Sequence, residues 1–134
     1  MEKKIGKFLK YPKKAQRFGE GGLRIKNINK NPKFTLITVV LNNKKLLEKT
    51  IKSVLDQNFK NFEYIIIDGG SKDGTLELIK KYNDKLDYWV SEKDEGIYDA
   101  FNKGMELSRG ECIGIINSDD TYRPNALKII SNYL

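Results

Sequence analysis

The stretch GECIGIINSDD, residues 110–120, is a short apolar segment that ends on two adjacent carboxylates. Its cysteine and isoleucines predict a buried β-strand, preceded by Gly110 and followed by the turn-forming residues 117–120. Asp119 and Asp120 are then expected at the carboxyl end of a strand, the edge at which open α/β sheets bind ligands. The pair has no adjacent Lys or Arg, which favours a divalent cation site. A turn that caps the next helix accounts for the same residues.

Three further segments have the β-branched and apolar composition of strands, at residues 34–41, 62–67 and 87–91. Apolar residues recur at helical spacing after each of them, and Gly110 is expected to end the third helix. Pro124 predicts the start of a fourth helix beyond the quoted stretch. Four β-α units with short connections predict an α/β fold, a mostly parallel sheet with helices on both faces.

The loops that follow the predicted strands carry acidic or amide side chains, all at one edge of the sheet. They are Asn42-Asn43, residues 68–75, residues 92–96 and residues 117–120. Such convergence predicts a ligand site at this edge. No G-x-G-x-x-G follows the first strand and no Walker A sequence is present, which argues against NAD, FAD and P-loop nucleotide binding.

The chemistry of the site then depends on its carboxylates. If phosphates bind without a glycine cradle, Mg²⁺ or Mn²⁺ held by Asp119 and Asp120 must balance most of their charge. Asp68 has two interpretations. In the first, its carboxylate accepts hydrogen bonds from a base N–H or a ribose hydroxyl of a ligand. In the second, it accepts them from the backbone N–H groups of the turn at Gly69-Gly70.

Charge is unevenly distributed along the chain. Residues 1–33 hold 11 Lys or Arg and 2 Asp or Glu, a net charge of +9, whereas residues 34–134 have a net charge of −2. We therefore divide the chain into a basic N-terminal arm, residues 1–33, and a domain, residues 34–134. Ile5, Phe8 and Leu9 share one helical face among lysines, which is compatible with contact with an anionic membrane surface. A solvated or loosely packed tail explains the same composition and is favoured, because one turn of apolar residues is little to anchor with. Nucleic acid is not an expected partner because patterned aromatics are missing.

The chain has one cysteine, Cys112, and no histidine. An intramolecular disulfide is therefore impossible, which favours a cytoplasmic setting, with the arm at the inner face of the membrane. The lack of histidine excludes His-based zinc sites and Ser-His-Asp triads, and leaves carboxylates as the natural metal ligands. No apolar run of about 18 residues predicts a membrane span.

Four segments carry a resemblance to a known family. FTLITVVLNN, YIIIDGGSKDGT, SEKDEGIYDAFNKGMELSRGE and IGIINSDD, in this order and spacing, resemble the donor-binding half of family 2 glycosyltransferases with the GT-A fold. The resemblance covers residues 34–134 and favours bacterial members that build capsular, exopolysaccharide or lipopolysaccharide chains. It implies transfer of a sugar with inversion from a nucleotide-diphosphate donor, usually a UDP-sugar, to a glycan or lipid-linked acceptor, with Mn²⁺ or Mg²⁺.

The resemblance also implies roles for individual residues. Asp68 would contact the nucleoside, while Asp94 and Asn102 lie in the segment that closes over the donor. Asp119 would touch the ribose or the metal, and Asp120 the metal and the diphosphate. The donor-binding set implied in this way comprises Val40, Asn42, Asp68, Ser71, Asp73, Asp94, Asn102 and Asp119, and the metal ligands are Asp120 and Asp119.

The chain departs from the family pattern in two residues and in its length. Asn117 stands where the metal motif often begins with Asp, and Phe101 stands where many members have Arg. Family members continue well beyond this point into the acceptor site and the general base that an inverting transfer needs. We therefore expect a fragment or a truncated product that lacks its own catalytic base.

One alternative from another functional class stays open at this stage. It is a non-catalytic module of the same fold, which docks to a membrane-associated polysaccharide assembly complex through the basic arm. A nucleotidylyltransferase is disfavoured, because the first strand is not followed by a glycine-rich loop.

Overall fold

The computed structural model describes residues 17–28 and 30–134 of the chain. The apolar stripe of Ile5, Phe8 and Leu9, which was interpreted as a membrane contact, lies outside the described residues. The description therefore begins with the second half of the basic arm and covers the whole of the domain.

Five strands form one sheet, in the spatial order β1-β4-β3-β2-β5. The strands are β1 (Arg17–Gly21), β2 (Phe34–Val40), β3 (Phe62–Asp68), β4 (Tyr88–Glu92) and β5 (Cys112–Ile115). The pairs β2–β3, β2–β5 and β3–β4 are parallel, and β1 is antiparallel to β4. The predicted α/β fold with a mostly parallel sheet is confirmed.

Four α-helices alternate with the parallel strands. They are α1 (Lys44–Leu55), α2 (Thr75–Lys81), α3 (Ile97–Leu107) and α4 (Ala126–Ser131). Two predicted boundaries were wrong. The third helix ends before Gly110, because Ser108 already has extended backbone angles, and the fourth begins after Pro124 rather than at it.

The three central strands, β2, β3 and β4, are buried on both faces, and their side chains alternate between the two. On one face, Leu36 and Ile66 pack with Ile51 of α1, Ile79 of α2 and Leu127 of α4. On the other face, the residues of one cluster pack under α3; they are Ile37, Val39, Ile65, Ile67, Tyr88, Val90, Ala100 and Leu107.

The close approach of α3 to the sheet depends on a glycine. A Cβ atom at Gly104 would lie 2.6 Å from Cγ2 of Ile37, so any side chain there would push the helix away from β2. The helix position matters because α3 forms one wall of the cavity described below.

The segment before residue 34 belongs in part to the sheet, which differs from the predicted division into arm and domain. β1 pairs with β4 along the edge of the sheet, and residues Leu23–Lys26 form a 3₁₀ turn after it. Arg24 of this turn is buried and contacts the carboxylate of Glu63 at 2.7 Å and the carbonyl oxygen of Leu107 at 2.8 Å. The local pattern did not indicate this strand because it is short and rich in glycine.

β5 is an edge strand, and the expectation that it is a buried core strand was wrong. Ile113 is 46% exposed and Ile115 is 42% exposed, and Cys112 is partly exposed. Among the described residues β5 pairs with β2 alone, and α3 packs on β2 and β3 instead of reaching over it.

A helix that crosses a membrane needs about 20 predominantly apolar residues. Within residues 17–28 and 30–134, no helix is both long enough and apolar enough to cross a membrane.

Candidate functional site

An open cavity of about 420 Å³ lies at the carboxyl ends of β2, β3 and β5. The edge is the one that the sequence predicted for a ligand. The residues that line the cavity come from four loops and from the start of α3; they are Val39, Val40, Leu41, Asn42, Asn43, Gly69, Asp94, Gly96, Ile97, Ala100, Asn117, Ser118 and Asp119.

The loop after β2 is held in place by the loop after β3. The backbone N–H of Asn42 donates to the hydroxyl of Ser71 at 2.8 Å, and the Asn42 side-chain oxygen accepts from the N–H of Lys72 at 2.7 Å. Asn42 has a positive φ of 51°, which asparagine tolerates better than most residues. The cavity floor is thus formed by two loops that are hydrogen-bonded to each other.

Asp73 caps two helices from this interface. One of its oxygens accepts from the N–H of Thr75 at 3.0 Å and from the Thr75 hydroxyl at 2.5 Å, and the other accepts from the N–H of Lys44 at 3.1 Å. The hydroxyl of Thr75, together with these backbone bonds, lowers the pKa of Asp73. Asn43 occupies the N-cap position of α1 but makes no side-chain cap there. The cap of α1 therefore comes from another loop.

Asp68 is fully buried, and its carboxylate accepts four hydrogen bonds from the protein. It accepts from the N–H groups of Gly70 and Ser71 at 3.3 and 3.0 Å, and from the hydroxyls of Ser71 and Ser91 at 2.5 and 2.6 Å. The turn-acceptor interpretation describes this geometry, and a nucleoside contact by Asp68 stays a prediction.

Only the first residue of the acidic pair borders the cavity. Asp119 lines the cavity, whereas Asp120 is exposed and its backbone carbonyl accepts from the Thr50 hydroxyl at 2.5 Å. Ser118 accepts from the side-chain N–H of Asn43 at 3.1 Å, which joins this loop to the loop after β2. The quoted stretch is therefore part of the cavity through residues 117–119.

Asp94 lies between this cavity and a smaller one of about 320 Å³. The smaller cavity is bordered by Phe18 of β1 and by Lys72 and Lys93. Burial raises the pKa of Asp94 to about 6; Lys103 opposes the increase, and the carboxylates of Asp99, Asp68 and Glu92 add to it. Burial therefore keeps Asp94 protonated up to a higher pH than an ordinary carboxylic acid.

The predicted site residues divide into three groups in the structure. Val40, Asn42, Asp94 and Asp119 line the larger cavity, whereas Asp68, Ser71 and Asp73 form the hydrogen-bonded support beneath it. Asn102 and Asp120 are exposed and line neither cavity. The donor-binding roles of all nine residues stay predictions.

Sequence reasoning missed two charged residues behind the cavity wall, Lys103 and Glu92. Both are buried, and the Nζ atom of Lys103 lies 3.2 Å from Oε1 of Glu92. One local signal was present in the sequence, since Asp99 and Lys103 are spaced to pair on one helix face. The other partner, Glu92, comes from a strand and is brought near by packing alone.

The donor set fits a cation that completes its coordination with ligand oxygens. In the described parts of the chain no three His, Cys, Asp or Glu residues come together as a metal cluster. Mg²⁺ and Mn²⁺ accept one or two protein carboxylates and take phosphate oxygens and water for the rest, which suits Asp119 and Asp120. The arrangement does not suit a resident structural ion.

Comparison with known proteins identifies similar chains for most of the domain. The model of the family described as glycosyl transferase family 2 matches residues 35–134. A putative teichuronic acid biosynthesis glycosyltransferase of Bacillus subtilis, TuaG, is 33% identical over 104 residues, which cover 75% of this chain and 41% of that protein. An uncharacterised glycosyltransferase of Mycobacterium tuberculosis is 35% identical over 92 residues, 68% of this chain and 35% of that protein.

Solved structures show the same fold. S. aureus TarS 1-349 in complex with UDP-GlcNAc has a TM-score of 0.68 and 27% identity, over 75% of this chain and 30% of that chain. The mannosyltransferase PcManGT of Pyrobaculum calidifontis, in complex with GDP-Man and Mn²⁺, has a TM-score of 0.65 at 23% identity, over 73% of this chain and 32% of that chain. The present chain thus spans between 30% and 41% of the length of these proteins.

Proposed function

Because the chain belongs to glycosyltransferase family 2, a family of transferases, we propose that its larger cavity binds the nucleotide-diphosphate sugar donor, a UDP-sugar, of an inverting transfer. Support comes from the position of the cavity at the carboxyl ends of parallel strands, with Asp119 at one wall and Asp94 at the other. S. aureus TarS, which shares the fold at 27% identity, binds UDP-GlcNAc.

The metal part of the proposal rests on the charges of the cavity. Among the described residues, those that line it include Asp94 and Asp119 but no Lys or Arg. A bound diphosphate therefore needs a cation, and Asp119 and Asp120 are the residues that would hold Mn²⁺ or Mg²⁺. When bound, such an ion neutralises the charge that develops on the departing diphosphate. The amides of Asn42 and Asn43 and the hydroxyl of Ser118 are the neutral groups available to orient the donor.

Titration calorimetry with UDP, with and without Mn²⁺, tests this proposal. We expect UDP to bind the wild-type chain at least tenfold more tightly when Mn²⁺ is present. Asp120→Ala and Asp119→Ala should each remove the Mn²⁺-dependent part of the affinity. Asp84→Ala is the matched control, because Asp84 is an exposed carboxylate that lines neither cavity.

Two results contradict the proposal in different ways. If the affinity for UDP is the same with and without Mn²⁺ and in both Asp variants, the metal bridge is excluded. The nucleotide site itself would still be supported. A chain that binds neither UDP nor UDP-GlcNAc under any condition would exclude the nucleotide site itself.

We further propose that the acceptor is a glycan or a lipid-linked glycan, as in polysaccharide biosynthesis. Support comes from the name of TuaG, a putative glycosyltransferase of teichuronic acid biosynthesis that is 33% identical. Because the chain is expected to lack its own catalytic base, binding rather than transfer tests this part. Vesicles of bacterial membrane lipid that contain lipid-linked glycan should co-sediment with more of the UDP-loaded protein than vesicles without it. Equal co-sedimentation with both kinds of vesicle would contradict a lipid-linked acceptor.

The second candidate function is a non-catalytic module that docks at a membrane through the basic arm. The observation in its favour is the net charge of +9 in residues 1–33. Co-sedimentation with phosphatidylserine vesicles, for the full chain and for a variant without residues 1–16, separates the candidates. If the full chain binds vesicles, the variant without residues 1–16 does not, and neither binds UDP, the non-catalytic module is favoured. UDP binding with or without the arm would favour the transferase.

A further inference from the structure

A buried group of charged residues lies directly behind the wall of the larger cavity. We call it the Lys103 cluster; it consists of Lys103 and Asp99 of α3, Glu92 of β4 and Asp94 of the following loop. The Lys103 side chain is 0% exposed, and its Nζ lies 3.2 Å from Glu92 Oε1, 3.6 Å from Asp99 Oδ2 and 4.0 Å from Asp94 Oδ1. One ammonium group thus faces three carboxylates.

The cluster contains polar atoms that are buried without a hydrogen bond. Within the described residues, these atoms include Nζ of Lys103, Oε1 of Glu92 and Oδ1 of Asp94. Buried ammonium and carboxylate groups normally find such partners, so the arrangement is incomplete as it stands. Of these three residues, Asp94 alone lines the two cavities described above, so a bound molecule meets the cluster at the Asp94 carboxylate.

Of the three carboxylates, Asp94 is the one that a ligand reaches. Glu92 accepts from Nε of Arg17 at 2.9 Å through its other oxygen, and Asp99 accepts from the N–H of Glu95 at 2.8 Å. Neither Glu92 nor Asp99 lines either of the two cavities, whereas Asp94 lines both and its carboxylate lies against Gly69. The side chain of Asp94 is 8% exposed; its Oδ1 is buried and lies 4.0 Å from Nζ of Lys103, which leaves the other oxygen for a ligand.

We propose that Lys103 is a positioning residue, which holds the Asp94 carboxylate ionised at the cavity wall so that Asp94 accepts a hydrogen bond from a hydroxyl or N–H of the donor. This inference rests on the proposed function, because it names a contact within the same site. Lys103 itself stays behind the wall and acts through Asp94. The ligand chemistry selected is a hydrogen-bond donor, such as a sugar hydroxyl or the imide N–H of a base.

The charges around Asp94 make this contact dependent on pH. Asp68 comes from β3, Glu92 from β4, Lys93 from the following loop and Asp99 and Lys103 from α3, while Lys72 lies on the rim of the smaller cavity. Burial and the three carboxylates raise the pKa of Asp94 to about 6, and Lys103 opposes them. Removal of the lysine must therefore raise the Asp94 pKa further.

The test is titration calorimetry with UDP-GlcNAc between pH 5.5 and pH 8.5. For the wild type we expect affinity to fall below about pH 6, by up to tenfold per pH unit. In Lys103→Met the pH at which affinity falls should be higher by at least one unit. In Lys103→Arg the midpoint of the pH dependence should stay close to that of the wild type. Asp94→Asn should bind weakly at every pH. Lys80→Met is the matched control, because it removes an exposed lysine from α2 on the opposite face.

A readout that needs no ligand accompanies the calorimetry. Carboxyl ¹³C chemical shifts should show Asp94 titrating at higher pH in Lys103→Met than in the wild type, and circular dichroism checks that the variant is folded. An unshifted Asp94 titration, or UDP-GlcNAc binding with an unshifted pH profile in Lys103→Met, would overturn the inference alone. No binding of UDP-GlcNAc by the wild type at any pH would overturn the proposed function, and the Asp94 contact with it.

Discussion

At the scale of single residues, Arg24 and Glu63 form a buried ion pair that joins the N-terminal segment to the sheet. Both side chains are 2% exposed, and their contact measures 2.7 Å. Glu63 also accepts from the Thr35 hydroxyl at 2.6 Å and from the N–H of Arg109 at 2.7 Å. Burial of charge in this way is tolerated only because every oxygen of Glu63 has a partner.

Removal of the Arg24 charge should therefore be costly. Arg24→Met leaves Glu63 buried without its counter-ion, and we expect the free energy of unfolding to fall by about 3–5 kcal/mol. Chemical denaturation followed by Trp89 fluorescence measures the change. Lys26→Met is the control in the same turn, because its pair with Asp84 is exposed, and this variant should be as stable as the wild type. Equal losses in the two variants would contradict the importance of the buried pair.

At the scale of elements, the two outer strands differ most from what the local pattern indicated. β1 adds a strand at one edge through its pairing with β4, and β5 forms the other edge with isoleucines that face solvent. The sequence of a single strand predicts neither the pairing of β1 nor the exposure of β5, because both depend on the elements that pack beside the strand. The order of the parallel β-α units, in contrast, follows from periodicity within each segment.

The exposure of β5 predicts unequal effects for two isoleucines that are paired in register. Ile37 of β2 is 0% exposed, and its partner Ile115 of β5 is 42% exposed. Ile37→Ala should lower the free energy of unfolding by about 2–5 kcal/mol, because it leaves a cavity under α3. Ile115→Ala should lower it by about 1 kcal/mol, since only part of the side chain is removed from water. Urea denaturation of both variants measures the two changes. A loss of unfolding free energy in Ile115→Ala as large as in Ile37→Ala would show that β5 is buried.

The packing of β1 on β4 predicts a sensitive glycine. A Cβ atom at Gly21 would lie 2.4 Å from Oδ1 of Asn83 and 2.6 Å from Nε1 of Trp89, two atoms that form a hydrogen bond of 2.8 Å. Gly21→Ala should therefore cost about 1–3 kcal/mol and shift the emission of the single tryptophan.

A neighbouring glycine provides the comparison for this variant. A Cβ atom at Gly19 would approach the Trp89 ring no closer than 3.1 Å, so Gly19→Ala should be milder. Thermal unfolding and fluorescence spectra measure both. If Gly21→Ala left the spectrum and the stability unchanged, the docking of β1 on Trp89 would be in doubt.

At the scale of the whole molecule, two carboxylates at the cavity edge have opposite effects on the stability of the native state. The pKa of Asp73 is lowered by its hydrogen bonds, so its ionised form stabilises the native state. The pKa of Asp94 is raised to about 6 by burial, so its ionised form destabilises the native state. The stabilisation that Asp94 provides when protonated is complete below its unfolded pKa near 4 and is lost as the pH rises through about 6.

Two isosteric substitutions should therefore have opposite effects. Asp94→Asn should be more stable than the wild type at pH 8, and the difference should shrink as the pH falls from 6 to 4. Asp73→Asn should be less stable than the wild type at pH 8, and this difference should disappear in acid, where Asp73 becomes protonated. Urea denaturation at pH 4, 6 and 8 measures both. Lower stability of Asp94→Asn at pH 8 would contradict the strain assigned to the ionised carboxylate.

The amino-acid sequence by itself determined the α/β class, the order of the β-α units and the edge at which polar loops meet. These properties follow from periodicity and turn residues within short segments, which are local. It also identified Asp94 and Asp119 among the residues of the cavity edge, through a family resemblance and the position of each after a strand.

Only the tertiary structure decided what each polar group contacts. Asp73 caps α1 across 29 residues of sequence, and Arg24 pairs with Glu63 across 39. Asp68 accepts from four protein donors, whereas Asp94 lines both cavities with Lys103 behind it. The physical reason is that burial and hydrogen bonding depend on elements that folding brings together, and no local pattern in the sequence records which elements those will be.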